Sequence, residues 1–180
     1  MPKKAEIRDE GHWLKWVALT TTCLAVMAAI GSLKSGKYST RTQILTTQES
    51  NRWSYFQSKS IKQHMVEFKI DMLKVDEGRA QTPEEKARIA GLIGEAEKTV
   101  ARYDGEMRDI RKSAEALSAE QDDLKRRGGS FSLSVMLFQI GIMLSAVGSL
   151  MKIRHSWYAG LAIGLVAIVY FLNGFFLFLA

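Results

Sequence analysis

Proline occurs only twice in the chain, at Pro2 and Pro83, and cysteine only once, at Cys23. With so little proline, long helices can run without a break. A lone thiol excludes an internal disulfide, and inside an apolar stretch Cys23 reads as a small apolar filler. The three histidines, His12, His64 and His155, lie in different regions without the spacing that converging metal ligands need. No nucleophile–base pair, P-loop or dinucleotide fingerprint is present. The sequence therefore predicts no enzymatic activity, no cofactor and no metal.

Charge is missing in places too. Lysines and arginines number 25 against 19 acids, a net +6, but most of the charge crowds into residues 34–130. Basic residues alternate with acids there instead of forming a patch. Nucleic acid is accordingly not an expected partner, whereas an anionic membrane surface is.

Three stretches almost free of charge remain: 13–33, 131–151 and 157–180. A helix rises about 1.5 Å per residue, so roughly 20 apolar residues cross a hydrocarbon core about 30 Å thick. Each stretch meets that length, which predicts three transmembrane helices. Trp13 and Trp16 suit the interface, Lys15 can snorkel outward, and Trp157-Tyr158 open the third span. Lys3, Lys4 and Arg8 ahead of the first run also resemble a signal peptide. The acids Glu6, Asp9 and Glu10 and the length of the run favour a retained anchor after a tail at 1–12. Lys3, Lys4, Arg8, Lys15, Lys152 and Arg154 favour a cytoplasmic N-terminus and an extracytoplasmic segment 34–130. Lys34, Lys37, Arg41 and Lys125-Arg126-Arg127 pull the other way.

Between the first two spans the pattern predicts a helical hairpin, with helices at about 39–77 and 83–127. No glycine or proline falls between Gly36 and Gly78. Thr82 is a good N-cap, Pro83 fits the first helical position, and Glu85 completes a capping box. Gly128-Gly129 is expected to stop the second helix. In that helix Ile89, Ile93, Ala96, Val100, Tyr103, Met107, Ile110, Ala114, Leu117, Gln121 and Leu124 recur at steps of 4 and 3, a coiled-coil seam. Ile61, Met65, Phe68, Met72 and Val75 form the corresponding seam of the first helix, leaving Ile70 and Leu73 off it. Antiparallel pairing about a tip near residue 80 sets Trp53 opposite Met107, with Phe56 near Tyr103, Met107 or Ile110.

The segment at 53–62, Trp-Ser-Tyr-Phe-Gln-Ser-Lys-Ser-Ile-Lys, resembles one found in a bacterial family of uncharacterised three-span membrane proteins. That family, a domain of unknown function, carries W-x-Y-[FY]-Q-x-K-S-I-K after its first span. The likeness continues through Leu137-Phe138-Gln139-Ile140 and the short basic turn at 152–156 before an aromatic-led third span. The first ten residues depart from the family's longer, more acidic N-termini. The resemblance implies a multi-pass protein of the bacterial inner membrane and supplies no catalytic residues.

Within the segment, Trp53, Tyr55, Phe56, Gln57, Lys59 and Lys62 form a candidate interaction surface for an anionic ligand, a lipid headgroup or a partner subunit. The alternative is that the aromatics pack within or between hairpins while the lysines are solvated. Gly160-x-x-x-Gly164 allows close helix approach, as does Gly141-x-x-x-Ser145. Gln139 and Asn173 are polar groups inside spans and are expected to face other helices. No Asp, Glu, Lys or Arg sits mid-span, which weighs against an ion-coupled transporter.

The sequence thus predicts an all-α membrane protein: three transmembrane helices, with a long antiparallel coiled-coil hairpin between the first and second. The expected role is a non-enzymatic homo-oligomeric scaffold or interaction protein. Its partners would be the lipid bilayer and further copies of itself. Alternatives are a pore or channel-like assembly with Gln139 or Asn173 near its axis, and an accessory subunit of another membrane protein.

Overall fold

A computed structural model describes residues 3–178, with side chains from Trp13 to Phe178. The side chains of the tail at 1–12, including Lys3, Lys4 and Arg8, and the end of the third apolar run at 179–180 lie outside the described residues. Those described form three helices: α1 (Lys3–Arg79), α2 (Pro83–Met151) and α3 (Arg154–Phe176). All three are long and apolar enough to cross a membrane.

Thr82 caps α2, accepting a hydrogen bond from the Glu85 N–H at 3.3 Å. The ends of the hairpin helices differ from expectation elsewhere. α1 has no boundary near 39, and α2 continues through Gly128-Gly129 to Met151. The pair does not act as a helix stop because none of the described glycines has the positive φ of a C-terminal cap. Gly128 is a contact point instead. A Cβ built there would lie 3.2 Å from that of Tyr38, and Ser35 Oγ donates to the Gly128 carbonyl at 3.4 Å.

The chain divides into two units, Met1–Gln43 with Asp122–Ala180, and Ile44–Gln121. In the first, Leu24 and Ala28 of α1, Phe138 of α2 and Ala167 of α3 form a buried cluster. Small residues set how closely the helices approach. A Cβ at Gly160 would sit 2.7 Å from the Gly141 carbonyl oxygen, and one at Gly164 would sit 2.9 Å from Leu24 Cδ2. Near one end of α3, Phe131 is fully buried, stacked on Tyr38 and edge-on to Phe171 and Phe175. Near the other, Trp13 packs against Trp157, whose Nε1 donates to Thr20 Oγ1 at 3.2 Å. Only Lys152 and Ile153 separate α2 from α3. Lys152 adopts φ 56, which costs a residue with a Cβ roughly 1–2 kcal/mol. The Ile153 N–H then donates to the Gly148 carbonyl at 2.9 Å.

In the second unit α2 buries Ile93, Ala96, Met107, Ile110, Ala114 and Gln121, the face expected of it. α1 presents the opposite face to the one expected. Ile61, Met65, Phe68, Met72 and Val75 are 54–67% exposed, whereas Ile70 is only 7% exposed and packs with Ile93 and Ala96, flanked by Val66 and Leu73. α1 carries two apolar stripes, and periodicity cannot choose between them. The inward stripe wins where polar groups come with it: Lys59 reaches Glu106 and Gln63 reaches Asp104 across the pair. With the alternative face inward, those groups would meet water instead of one another.

The same cross-links correct the register. With Gln121 bonded to Glu49 as well, Trp53 is set against the stretch around Ala114, about two turns from Met107. Phe56 falls across from Ile110. The shift arises because the reversal is not centred on residue 80: residues 81–88, including the first turn of α2, are exposed before pairing begins.

Candidate functional site

The 53–62 segment lies wholly in the Ile44–Gln121 unit, and helical spacing sorts its side chains by role. Trp53 and Phe56 are half-buried, with ring centroids 5.7 Å apart in an edge-on contact. Trp53 Nε1 also donates to Glu49 Oε1 at 3.3 Å. Glu49 in turn accepts from Gln121 Nε2 at 2.6 Å, and Gln121 Oε1 accepts from Thr46 Oγ1 at 2.8 Å. The buried amide of Gln121 is thereby satisfied on both sides, as a polar group in a packed seam must be.

Lys59 is the electrostatic centre of the segment. Its ammonium lies 2.5 Å from Glu106, 5.1 Å from the centroid of Tyr103 and 5.4 Å from that of Tyr55. Hydrogen bonding to Glu106 raises the Lys59 pKa above the ordinary lysine value, and the same bond holds the Glu106 carboxyl below the ordinary carboxylate range. Lys59 is therefore a protonated cross-link between helices, with its charge already matched. Tyr55, Gln57 and Lys62 are exposed and remain available to a partner. Among the described residues no group of three or more His, Cys, Asp or Glu is placed to hold a metal ion.

The candidates within the apolar runs occupy the other unit. Gly160 and Gly164 are buried against α2 and α1 of the same chain, so the motif serves intrachain packing. Asn173 is also buried and donates through Nδ2 to Ser130 Oγ at 2.9 Å. Gln139, expected to face another helix, is instead exposed, on a surface shared with Met136, Ile140 and Met143, because the inward face of α2 here is taken by Phe138 and Gly141. Sequence reasoning missed Gln63 and Glu106. Spacing held a signal for the first, since Gln63 begins the 3-4-3 stripe Val66, Ile70 and Leu73. Glu106 sits among many exposed acids of α2 and is distinguished only by what it meets.

These features define an all-helical protein with three helices of membrane-spanning length and composition. The chain belongs to the family described as Domain of unknown function (DUF4337), whose model matches residues 13–177. No curated protein and no solved structure matches it.

Proposed function

We propose that this is a multi-pass protein of a bacterial inner membrane and that it works as a non-enzymatic homo-oligomeric scaffold. In this reading the paired part of α1 and α2 is an antiparallel coiled coil lying between the first and second spans. The N-terminus and Lys152 are cytoplasmic, and the coiled coil is outside. The observation that carries the proposal is the exposed stripe Ile61, Met65, Phe68, Met72 and Val75. Its 4-3-4-3 spacing is that of a coiled-coil seam, and no other element among the described residues covers it. The five side chains offer roughly 600 Å² of apolar surface, against about 800 Å² per partner in a standard interface. Tyr55 and Lys62, seven residues apart, lie to one side of the stripe and supply a polar border there. A second copy is the occupant that brings an identical stripe of equal length.

The pore alternative draws less support. Asn173 is engaged with Ser130, and Gln139 stands alone on an apolar surface. The test is mass measurement of the intact particle, purified in mild detergent. A homo-oligomer gives a multiple of 20.2 kDa, and Met65→Glu combined with Phe68→Glu reduces it to one copy. A stable monomer in every mild detergent would refute the scaffold reading, and a co-purifying unrelated subunit would favour the accessory role.

A further inference from the structure

A cavity of about 670 Å³ lies in the Met1–Gln43 and Asp122–Ala180 unit, between the last charged turn before the second apolar run and the end of α3. Its volume falls within the roughly 300–1,000 Å³ of ligand pockets. Lys125, Arg126 and Ser130 line it from α2 and Tyr170 from α3, and no carboxylate is among the lining residues. Arg126 has no ion pair among the described residues, and Lys125 meets only the exposed Asp122, at 3.5 Å. Ser130 Oγ accepts from Asn173, which leaves the Ser130 hydroxyl proton to be donated.

Two further features bear on whether an anion with an apolar body fits. The carbonyls at the end of α3 would repel negative charge. One of them, that of Phe175, accepts from Arg127 Nη1 at 2.9 Å, so a guanidinium offsets part of the charge of this helix end. Leu133 and Tyr170 also line it, and because Asn173 meets Ser130 and Phe175 meets Arg127 they fall together, away from the Lys125-Arg126 end, giving an apolar end beyond the cationic one. Lys125-Arg126 also falls where charged sequence gives way to the apolar run at 131–151, the level of headgroups if that run spans a membrane.

We propose that this cavity seats the phosphate of an anionic phospholipid, with Lys125 and Arg126 as its counter-charges, Ser130 as a donor, and Leu133 and Tyr170 against the glycerol and upper acyl chain. The proposal rests on the membrane-spanning reading and is independent of oligomeric state.

The test uses the full chain in mild detergent, titrated by native mass spectrometry with phosphatidylglycerol, with phosphatidylcholine of the same acyl chains, and with inorganic phosphate. The wild type is compared with Lys125→Gln/Arg126→Gln and with a control of equal charge loss, Lys86→Gln/Arg88→Gln. Two cations at an anionic headgroup make phosphatidylglycerol bind about 30-fold more tightly than phosphatidylcholine. That preference disappears in the first variant and persists in the control. Equal affinity of the wild type for the two lipids overturns the proposal even if the variant fails to fold. So does a preference retained by the Lys125/Arg126 variant, or displacement of the lipid by inorganic phosphate at equal concentration, which would mark a site for the free anion. Alkaline carbonate extraction of the membranes from which the chain is purified reports separately on spanning: a chain that resists extraction but lacks lipid preference refutes the site alone.

Discussion

Ile70 and Phe68 are two residues apart on α1, and they should respond oppositely to truncation. Ile70 is 7% exposed in the cluster with Ile93 and Ala96, while Phe68 is 65% exposed. Ile70→Ala removes three buried carbons opposite a residue, Ala96, too small to fill the hole. Such substitutions cost about 2–5 kcal/mol. Even the lower figure corresponds to roughly 30-fold faster amide exchange wherever exchange requires the pair to open. The assay is hydrogen–deuterium exchange on the intact protein in detergent, followed in peptides covering residues 62–75 and 89–100. Ile70→Ala is expected to deprotect both peptides. Phe68→Ala leaves the 89–100 peptide within about threefold of wild type, because little intrachain burial is lost and alanine is the better helix former. Its effect should appear in the mass of the particle. If Phe68→Ala deprotects residues 89–100 as strongly as Ile70→Ala, α1 faces its partner with the other stripe and the packing described here is wrong.

Other substitutions probe separate contacts. Gly160→Ala drives a methyl against the Gly141 carbonyl and Ser145 Oγ, each 2.7 Å from the new Cβ; a loss of about 1–3 kcal/mol is expected in thermal unfolding, and an unchanged melting temperature would contradict the close helix approach. Gln121→Leu leaves Thr46 and Glu49 without their shared partner and should cost about 1–3 kcal/mol by the same measurement. The Lys59–Glu106 pair gives a pH dependence with two limbs. The stability due to Glu106, whose folded pKa is lowered, is lost as pH falls through that lowered value, and the stability due to Lys59, whose folded pKa is raised, is lost as pH rises through it. Melts followed by circular dichroism should therefore plateau between the two, with Glu106→Gln abolishing this pair's share of the acid limb. For orientation, Arg79→Cys is expected to react with an impermeant maleimide in intact cells while Ser156→Cys does not; the reverse pattern would invert the topology.

The helical class and the three apolar runs were legible because the signals are long and redundant. Twenty uncharged residues carry their meaning whatever surrounds them, and Thr82-Pro83 marks a helix start through local chemistry alone. The buried face of α2 was legible for a related reason, since that helix has one apolar stripe and little to compete with it. α1 has two, Ile61 to Val75 and Val66 to Leu73, and choosing between them needs Lys59, Gln63, Glu106 and Asp104 placed across from one another. Those contacts join residues more than 40 positions apart, beyond the reach of any local pattern. Gly128-Gly129 misled for the opposite reason. A glycine pair reads as a stop in isolation, but here Tyr38 makes one of the two a point of close approach.

The joint between α2 and α3 has a consequence in angular terms. Two residues, one of them held at positive φ, leave no slack between the helices. Each residue of a helix advances the azimuth by about 100°, so a single inserted alanine after Ile153 would turn all of α3 by that angle. Gly160 and Gly164 would swing away from Gly141 and Leu24, and residues with bulky side chains would take their places. The number of residues in this joint is thus as much a part of the packing code as the glycines themselves. An insertion that an ordinary surface loop absorbs would here change the phase of an entire helix.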